Sequence, residues 1–290
     1  MVDIGTIYLI KIWLNSSHKS NTILSTQSLT IDHYPHRKNI MKNLINGVKS
    51  AFNPKTVVSE IATLNLKELL FLATWLIIQT VAFIVTGDFS VMGWIGVATG
   101  LLTAVSLILV NHGLITNYTF GFFSTAAWLV VAFHTRLIGD ISSQVFYLIM
   151  QFIGIAVWYK QMQLTNDGHV HARKLTPLKV VGIIVLTLII YAINVKVAQH
   201  FNGTQIFLDA TLLPLGIVGQ ILMTYGFLGQ WFFWISINLV NVVIWTNNLS
   251  GATSASKGAI VSMLILNIFM LINSFYGTYC WVRDPKKAGQ

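Results

Sequence analysis

Residues 222–245 read LMTYGFLGQWFFWISINLVNVVIW. The run holds no charged side chain, and Thr224-Tyr225-Gly226 divides it into the end of one apolar segment and the start of the next. In the second part Trp231, Trp234, Asn238, Asn241 and Trp245 follow one another at intervals of 3, 4, 3 and 4 residues, read from the sequence. That spacing puts all five on one face of an α-helix and leaves the other faces apolar. Amides on one side of an otherwise lipid-compatible helix are the pattern of a membrane span whose polar face looks into a bundle. The composition agrees. Charged residues make up 9% of the chain and hydrophobic ones 54%, against about 25% charged in an ordinary soluble domain.

Similar runs recur outward from this stretch, each close to the ~20 residues that cross a ~30 Å hydrocarbon layer. The sequence predicts an all-α polytopic membrane protein with eight transmembrane helices, at residues 69–86, 91–111, 118–134, 140–159, 177–197, 207–226, 229–247 and 258–280. Residues 1–68 form a polar tail. Within it Asn53-Pro54 opens a short helix, with Val57, Val58, Ile61, Leu64 and Leu66 spaced for the membrane surface. The one apolar stretch before residue 40, residues 4–14, is interrupted by Lys11 and carries neither a basic leader nor a small-residue cleavage site. The opening at Met41, MKNLINGV, suggests translation from that residue; N-terminal sequencing that recovered residues 1–40 in the native protein would exclude it.

Basic residues set the predicted orientation, because Lys and Arg in short loops favour the cytoplasmic side. With eight spans, Lys11, Lys19, Arg37, Lys38, Lys42, Lys49, Lys55, Lys67, Lys160, Arg173, Lys174, Lys179, Arg283, Lys286 and Lys287 lie inside, and only Arg136, Lys196 and Lys257 lie outside. Both termini, including the tail 281–290, are therefore predicted to be cytoplasmic. The surplus of 18 basic over 9 acidic residues is accounted for by topology, and no nucleic-acid partner is called for.

The fourth and eighth spans echo each other. Gln144, Gly154 and Trp158-Tyr159-Lys160 match Asn267, Gly277 and Trp281-Val282-Arg283 in order and spacing, and Asn117–Phe120 opens the third span as Trp231–Trp234 opens the seventh. Residues 91–159 and 207–280 then read as two three-helix repeats, with 177–197 as a linker helix and 69–86 as an extra helix before the core. In such a parallel-repeat plan the substrate sits between the repeats near the bilayer midplane.

The faces turned inward carry Gln144, Tyr147, Gln151, Gly154 and Trp158 in the fourth span, with Asn267 and Asn273 in the eighth. Asp209, Gln220 and Thr224 lie in the sixth, and Asn117, Phe120, Ser124 and Trp128 in the third. Aromatic planes and amides can line a pocket, although amides also bond helix to helix for ~0.6 to 2 kcal/mol. Trp158, Trp245 and Trp281, near helix ends, read as interfacial anchors. No span carries Lys, Arg, Glu or His near its middle, so the sequence shows neither a proton relay nor a nucleophile with an acid or base partner, and passive transport is favoured over a membrane-embedded enzyme. The single cysteine, Cys280, can build no disulfide or redox pair. His169 and His171 lack the Cys or carboxylate company of a metal site, and no phosphate-binding glycine loop is present. No cofactor is expected.

At these residues the chain resembles the PnuC family of bacterial vitamin transporters. The family's Asn-x-x-aromatic element matches Asn117–Phe120 and its Trp-x-x-Trp element matches Trp231–Trp234, within similar text at residues 144–159 and 222–245. The likeness covers roughly residues 91–285. It implies a three-plus-one-plus-three architecture, related to that of the SWEET sugar transporters, in the bacterial cytoplasmic membrane. It also implies import of nicotinamide riboside, a precursor of pyridine nucleotides, by facilitated diffusion, with trapping by a cytoplasmic kinase. Thiamine, riboflavin or a deoxynucleoside is the alternative substrate, and a homo-oligomer is allowed. The substrate contacts it implies are Trp231, Trp234, Asn238, Asn117 and Phe120, then Gln144, Gln151 and Asn273; Asn241, on the face of Trp231 and Asn238, joins them from the spacing.

Overall fold

A computed structural model describes residues 34–283 apart from 88, 136, 137, 166, 201–204, 252 and 253. The apolar stretch 4–14, Arg136, Asn166, Lys286 and Lys287 lie outside the described residues, as do the side chains of Arg37, Lys38 and Lys257. Ten helices are present among the described residues: α1 Tyr34–Ala51, α2 Pro54–Ile61, α3 Leu66–Thr86, α4 Val91–Asn111, α5 Asn117–Thr135, α6 Ile138–Met162, α7 Pro177–His200, α8 Ile206–Thr224, α9 Gln230–Ser250 and α10 Ser254–Arg283. All eight expected apolar helices are found, α3 to α10. Seven are long and apolar enough to cross a membrane, and Asn117–Phe133 is a shorter apolar helix.

The N-terminal region departs from expectation. Residues 34–51 form a helix rather than a polar tail, because Leu44 and Val48, with Phe52 just beyond, give it one apolar face that seats on the core. Met41 falls inside that helix and is exposed. Helix α2 starts as expected, with the Asn53 side chain accepting from the Lys55 amide at 2.9 Å, but Leu64 turns into the core beside Trp75. Helix α3 begins three residues before the predicted boundary. Asn65 and Glu68 form a reciprocal capping box there, each side chain accepting from the other's backbone amide.

Helix α4 packs on α5, α5 on α6, α6 on α8, α8 on α9, α9 on α10, and α10 back on α4, so six helices close a ring. Helix α3 covers the seam between α4 and α10, α7 lies against α8, and α1 lies against α6. Pro214, inside α8, cannot donate to the carbonyl of Ala210. The Asn194 side chain of α7 donates to that carbonyl instead, at 3.1 Å.

Helices α4 and α8 end alike. The Gly113 amide reaches Val110 O and the Leu114 amide reaches Leu109 O, as Gly226 reaches Met223 O and Phe227 reaches Leu222 O. Both are Schellman closures, and each needs the left-handed backbone that glycine supplies: φ is +64° at Gly113 and +69° at Gly226. Residues 167–176 strap both turns. The Val170 amide donates to Gly113 O at 3.1 Å, the Arg173 amide to Gly226 O at 2.8 Å, and the Leu228 amide to Arg173 O at 2.8 Å. The Arg173 guanidinium, its pKa lowered by burial, lies 4.7 Å over the Phe227 ring.

Candidate functional site

Two aromatic seats sit just inside these turns. Tyr118, in the first turn of α5, lies edge to face with Trp158 at 5.1 Å and presses on Gly154. Trp231, in the first turn of α9, lies edge to face with Trp281 at 6.0 Å and presses on Gly277. The echo read from sequence thus has a physical cause: each glycine makes room for a ring, and each tryptophan completes its seat. The matching pair is Tyr118 with Trp231, so the expected correspondence of Asn117 with Trp231 shifts by one residue.

Neither Trp158 nor Trp281 is an interfacial anchor, since they are 0% and 3% exposed. Their indoles are spent on the helix ends: Trp158 Nε1 donates to Met223 O at 3.1 Å and Trp281 Nε1 to Val110 O at 3.0 Å. Each of those carbonyls also takes the glycine amide of its turn. Ser124 likewise belongs to packing, donating to Thr99 O and sharing a hydrogen bond with Thr103.

The nine expected contact residues separate by what their polar atoms already do. Asn117 donates to Leu114 O at 2.5 Å, and its Oδ1 is buried and unpartnered. Asn238 donates to Ser274 Oγ at 3.0 Å and keeps its Oδ1 free. Gln151 Oε1 and Trp231 Nε1 are also buried without a partner. Phe120, Gln144, Trp234 and Asn241 are half-buried, with Trp234 beside Gly219. Asn273 is committed: it accepts from Asn111 Nδ2 at 2.8 Å and donates to Asn111 Oδ1 at 3.4 Å, across the seam between α10 and α4.

Six residues outside the expected nine have the same unspent capacity: Gln220 Nε2 and Thr224 Oγ1 on α8, both side-chain polar atoms of Gln230 on α9, Tyr118 OH on α5, and Trp75 Nε1 and Gln79 Oε1 on α3. Gln220 and Thr224 stand one turn apart on the buried face of α8, a spacing visible in the sequence. Burying an amide or indole without a partner costs free energy. Here such atoms come from α5, α6, α8 and α9, four of the six ring helices, and from α3 outside the ring, and all are uncharged.

Carboxylates lie elsewhere than the sequence reading placed its attention. Glu60 of α2, nearly buried, accepts from the backbone amide of Thr116 at 3.0 Å and from its hydroxyl. Glu68 of α3 pairs with His112 Nε2 at 2.8 Å and accepts from Tyr276 OH. Both sit at the end of the bundle that carries Lys55, Lys67, Lys160, Arg173, Lys174 and Arg283, and neither is in mid-span. His169 Nδ1 donates to His112 O at 3.1 Å and His171 pairs with Asp167 at 3.1 Å, so both histidines have local structural partners. No metal-ligating cluster occurs among the described residues.

A ring of apolar helices, most of them long enough to cross a membrane, with uncharged polar atoms turned inward defines a multi-pass membrane protein. Residues 90–283 match the family described as nicotinamide mononucleotide transporter, and the chain belongs to that family, the PnuC transporters of the bacterial cytoplasmic membrane. The nicotinamide riboside transporter PnuC of Haemophilus influenzae is 28% identical over 223 residues, covering 76% of this chain and 92% of that one. That of Neisseria mucosa is 28% identical over 231 residues, covering 76% and 84%. A crystal structure of the vitamin B3 transporter PnuC superposes with a TM-score of 0.62 at 25% identity, over 76% of this chain and 92% of that one.

Proposed function

We propose that the protein imports nicotinamide riboside by facilitated diffusion and that a cytoplasmic kinase traps the product. The observation that carries this reading is the neutrality of the interior. The unspent atoms of Asn117, Gln151, Gln220, Trp231 and Asn238 are amide or indole groups, beside the half-buried plane of Trp234. Amides pair with a carboxamide and with ribose hydroxyls, and an indole face attracts a pyridinium for ~0.5 to 2 kcal/mol. A mononucleotide carries a phosphate, which calls for Lys or Arg in the pocket. The neutral lining therefore favours the riboside that names the relatives over the mononucleotide that names the family model.

The same reading takes α4–α6 and α8–α10 as two copies of a three-helix unit, α7 as the linker and α3 as the added span. The matched turns, the matched aromatic seats and the ring contacts support it. Eight spans with both termini cytoplasmic follow, and the basic end of the bundle then faces the cytoplasm.

Purified protein in liposomes is expected to equilibrate labelled nicotinamide riboside saturably, with no change on adding an uncoupler, and to accumulate label only when a kinase and ATP are enclosed. Accumulation that an uncoupler abolishes would overturn uniport. Thiamine, riboflavin or thymidine competing better than nicotinamide riboside would move the assignment to that vitamin or nucleoside.

A further inference from the structure

The basic end of the ring holds a buried carboxylate that the neutral pocket has no use for. Glu68 is 4% exposed, and its partners come from three elements: Asn65 at the start of α3, His112 in the α4–α5 turn and Tyr276 on α10. A charge held away from water is costly to leave unpaired, so these three are held to it as firmly as it is held to them. The two farther partners stand on either side of the seam where α10 closes the ring against α4. The Asn111–Asn273 amide pair and the Trp281 indole on Val110 O cross the same seam.

Beside this cluster a cleft of about 360 Å³ opens under the 167–176 strap, lined by Asn111, His112, Asp167, Cys280, Trp281 and Arg283 among others. Its floor is Asn111 and Trp281. Asn111 is bonded to Asn273, and Trp281 lies edge to face with Trp231. One layer of side chains therefore separates the cleft from Trp231, which is assigned to the substrate.

We propose that Glu68, His112 and Tyr276 form a latch that holds the cytoplasmic end of the ring shut, and that the cleft beside them is the substrate's exit. The proposal rests on the transport reading above. A solute reaching the cleft from Trp231 must part α10 from α4 and break the Asn111–Asn273 pair. That movement draws Tyr276 away from His112, and Glu68 cannot keep both partners. Shut, the carboxylate is dry and paired; open, it is wetted from the cleft. Two such discrete arrangements make a gate rather than a continuous flexing. Glu68 and Asn65 precede the residues that match the family model, so the added helix α3 supplies the bolt.

Cys280 lines the cleft beside Tyr276 and is the only cysteine in the chain; its labelling is read as the ratio of an impermeant to a membrane-permeant maleimide, so that a change reports access from the cleft and not the thiol's own reactivity. In liposomes, a membrane-impermeant maleimide offered from the basic side is expected to label wild type slowly. Glu68→Gln and Tyr276→Phe, each removing a hydrogen bond to a charged group, are expected to label roughly tenfold faster, with Tyr276→Phe keeping the wild-type melting temperature. Unchanged labelling in both variants would overturn the latch, as would faster labelling that appears only with a lowered melting temperature. Faster labelling in a protein that fails to carry nicotinamide riboside would leave the latch standing and remove the substrate assignment; normal transport with unchanged labelling would do the reverse.

Discussion

Trp234→Ala is expected to raise the KM for nicotinamide riboside uptake roughly 3- to 30-fold, the range of a cation held over an indole face. Asn238→Leu, which keeps the volume and removes the amide, is expected to raise it about tenfold. Asn238 presents the cleaner case. Its Nδ2 already donates to Ser274, and its buried Oδ1 is the atom with capacity to spare. Ser274→Ala should therefore change uptake much less than Asn238→Leu, because it removes the atom that holds the amide and leaves the one offered to the substrate. Uptake kinetics in liposomes with matched protein amounts measure all three. Wild-type KM in both Trp234→Ala and Asn238→Leu would remove α9 from the pocket.

Gly277→Ala is expected to lower the thermal transition of the detergent-solubilised protein by roughly 2–12 °C. A Cβ on Gly277 would lie 2.5 Å from Trp231 Cζ3 and 2.5 Å from Asn111 Oδ1. Neither neighbour gives way easily: Trp231 is 2% exposed and lies against Trp281, and Asn111 is bonded to Asn273. Overpacking of this kind costs about 1–3 kcal/mol, at about 2–4 °C per kcal/mol in chains somewhat smaller than this one. Trp231→Phe on the Gly277→Ala background frees space and should recover part of the loss, a coupling expected of residues in contact. A transition unmoved in Gly277→Ala would mean that the ring does not need the glycine.

The eight apolar helices were legible because each is a run of about twenty residues with few charges, a length the bilayer imposes. Helix α1 was not, since its apolar face is narrow and its charged and polar residues dominate the composition. The spacing of Leu44, Val48 and Phe52 at every fourth position was nevertheless there to read. So was Asn65-x-x-Glu68, a capping box whose recognition would have started α3 earlier and drawn attention to its carboxylate. The burial of Trp158 and Trp281 could not be read. Their places near helix ends suit an interfacial anchor, and only the tertiary fold puts the carbonyls of Met223 and Val110 under their indoles. Of the proposed contacts, Asn117, Gln151 and Asn238 could be singled out because polar residues on apolar helices stand out. Which of their atoms are already committed depends on partners such as Leu114 O and Ser274, and the commitment of Asn273 depends on Asn111, 162 residues away.

The crossed indoles have a consequence for synthesis. Val110 O receives its second hydrogen bond from Trp281, 171 residues later in the chain. At about 5–20 residues per second the first turn waits roughly 9 to 34 s before the residue that completes it is made. Helix α4 must be kept from wrong partners through that interval, and a chain stopped just before Trp281 would leave the carbonyl of a helix made in the first half without its indole.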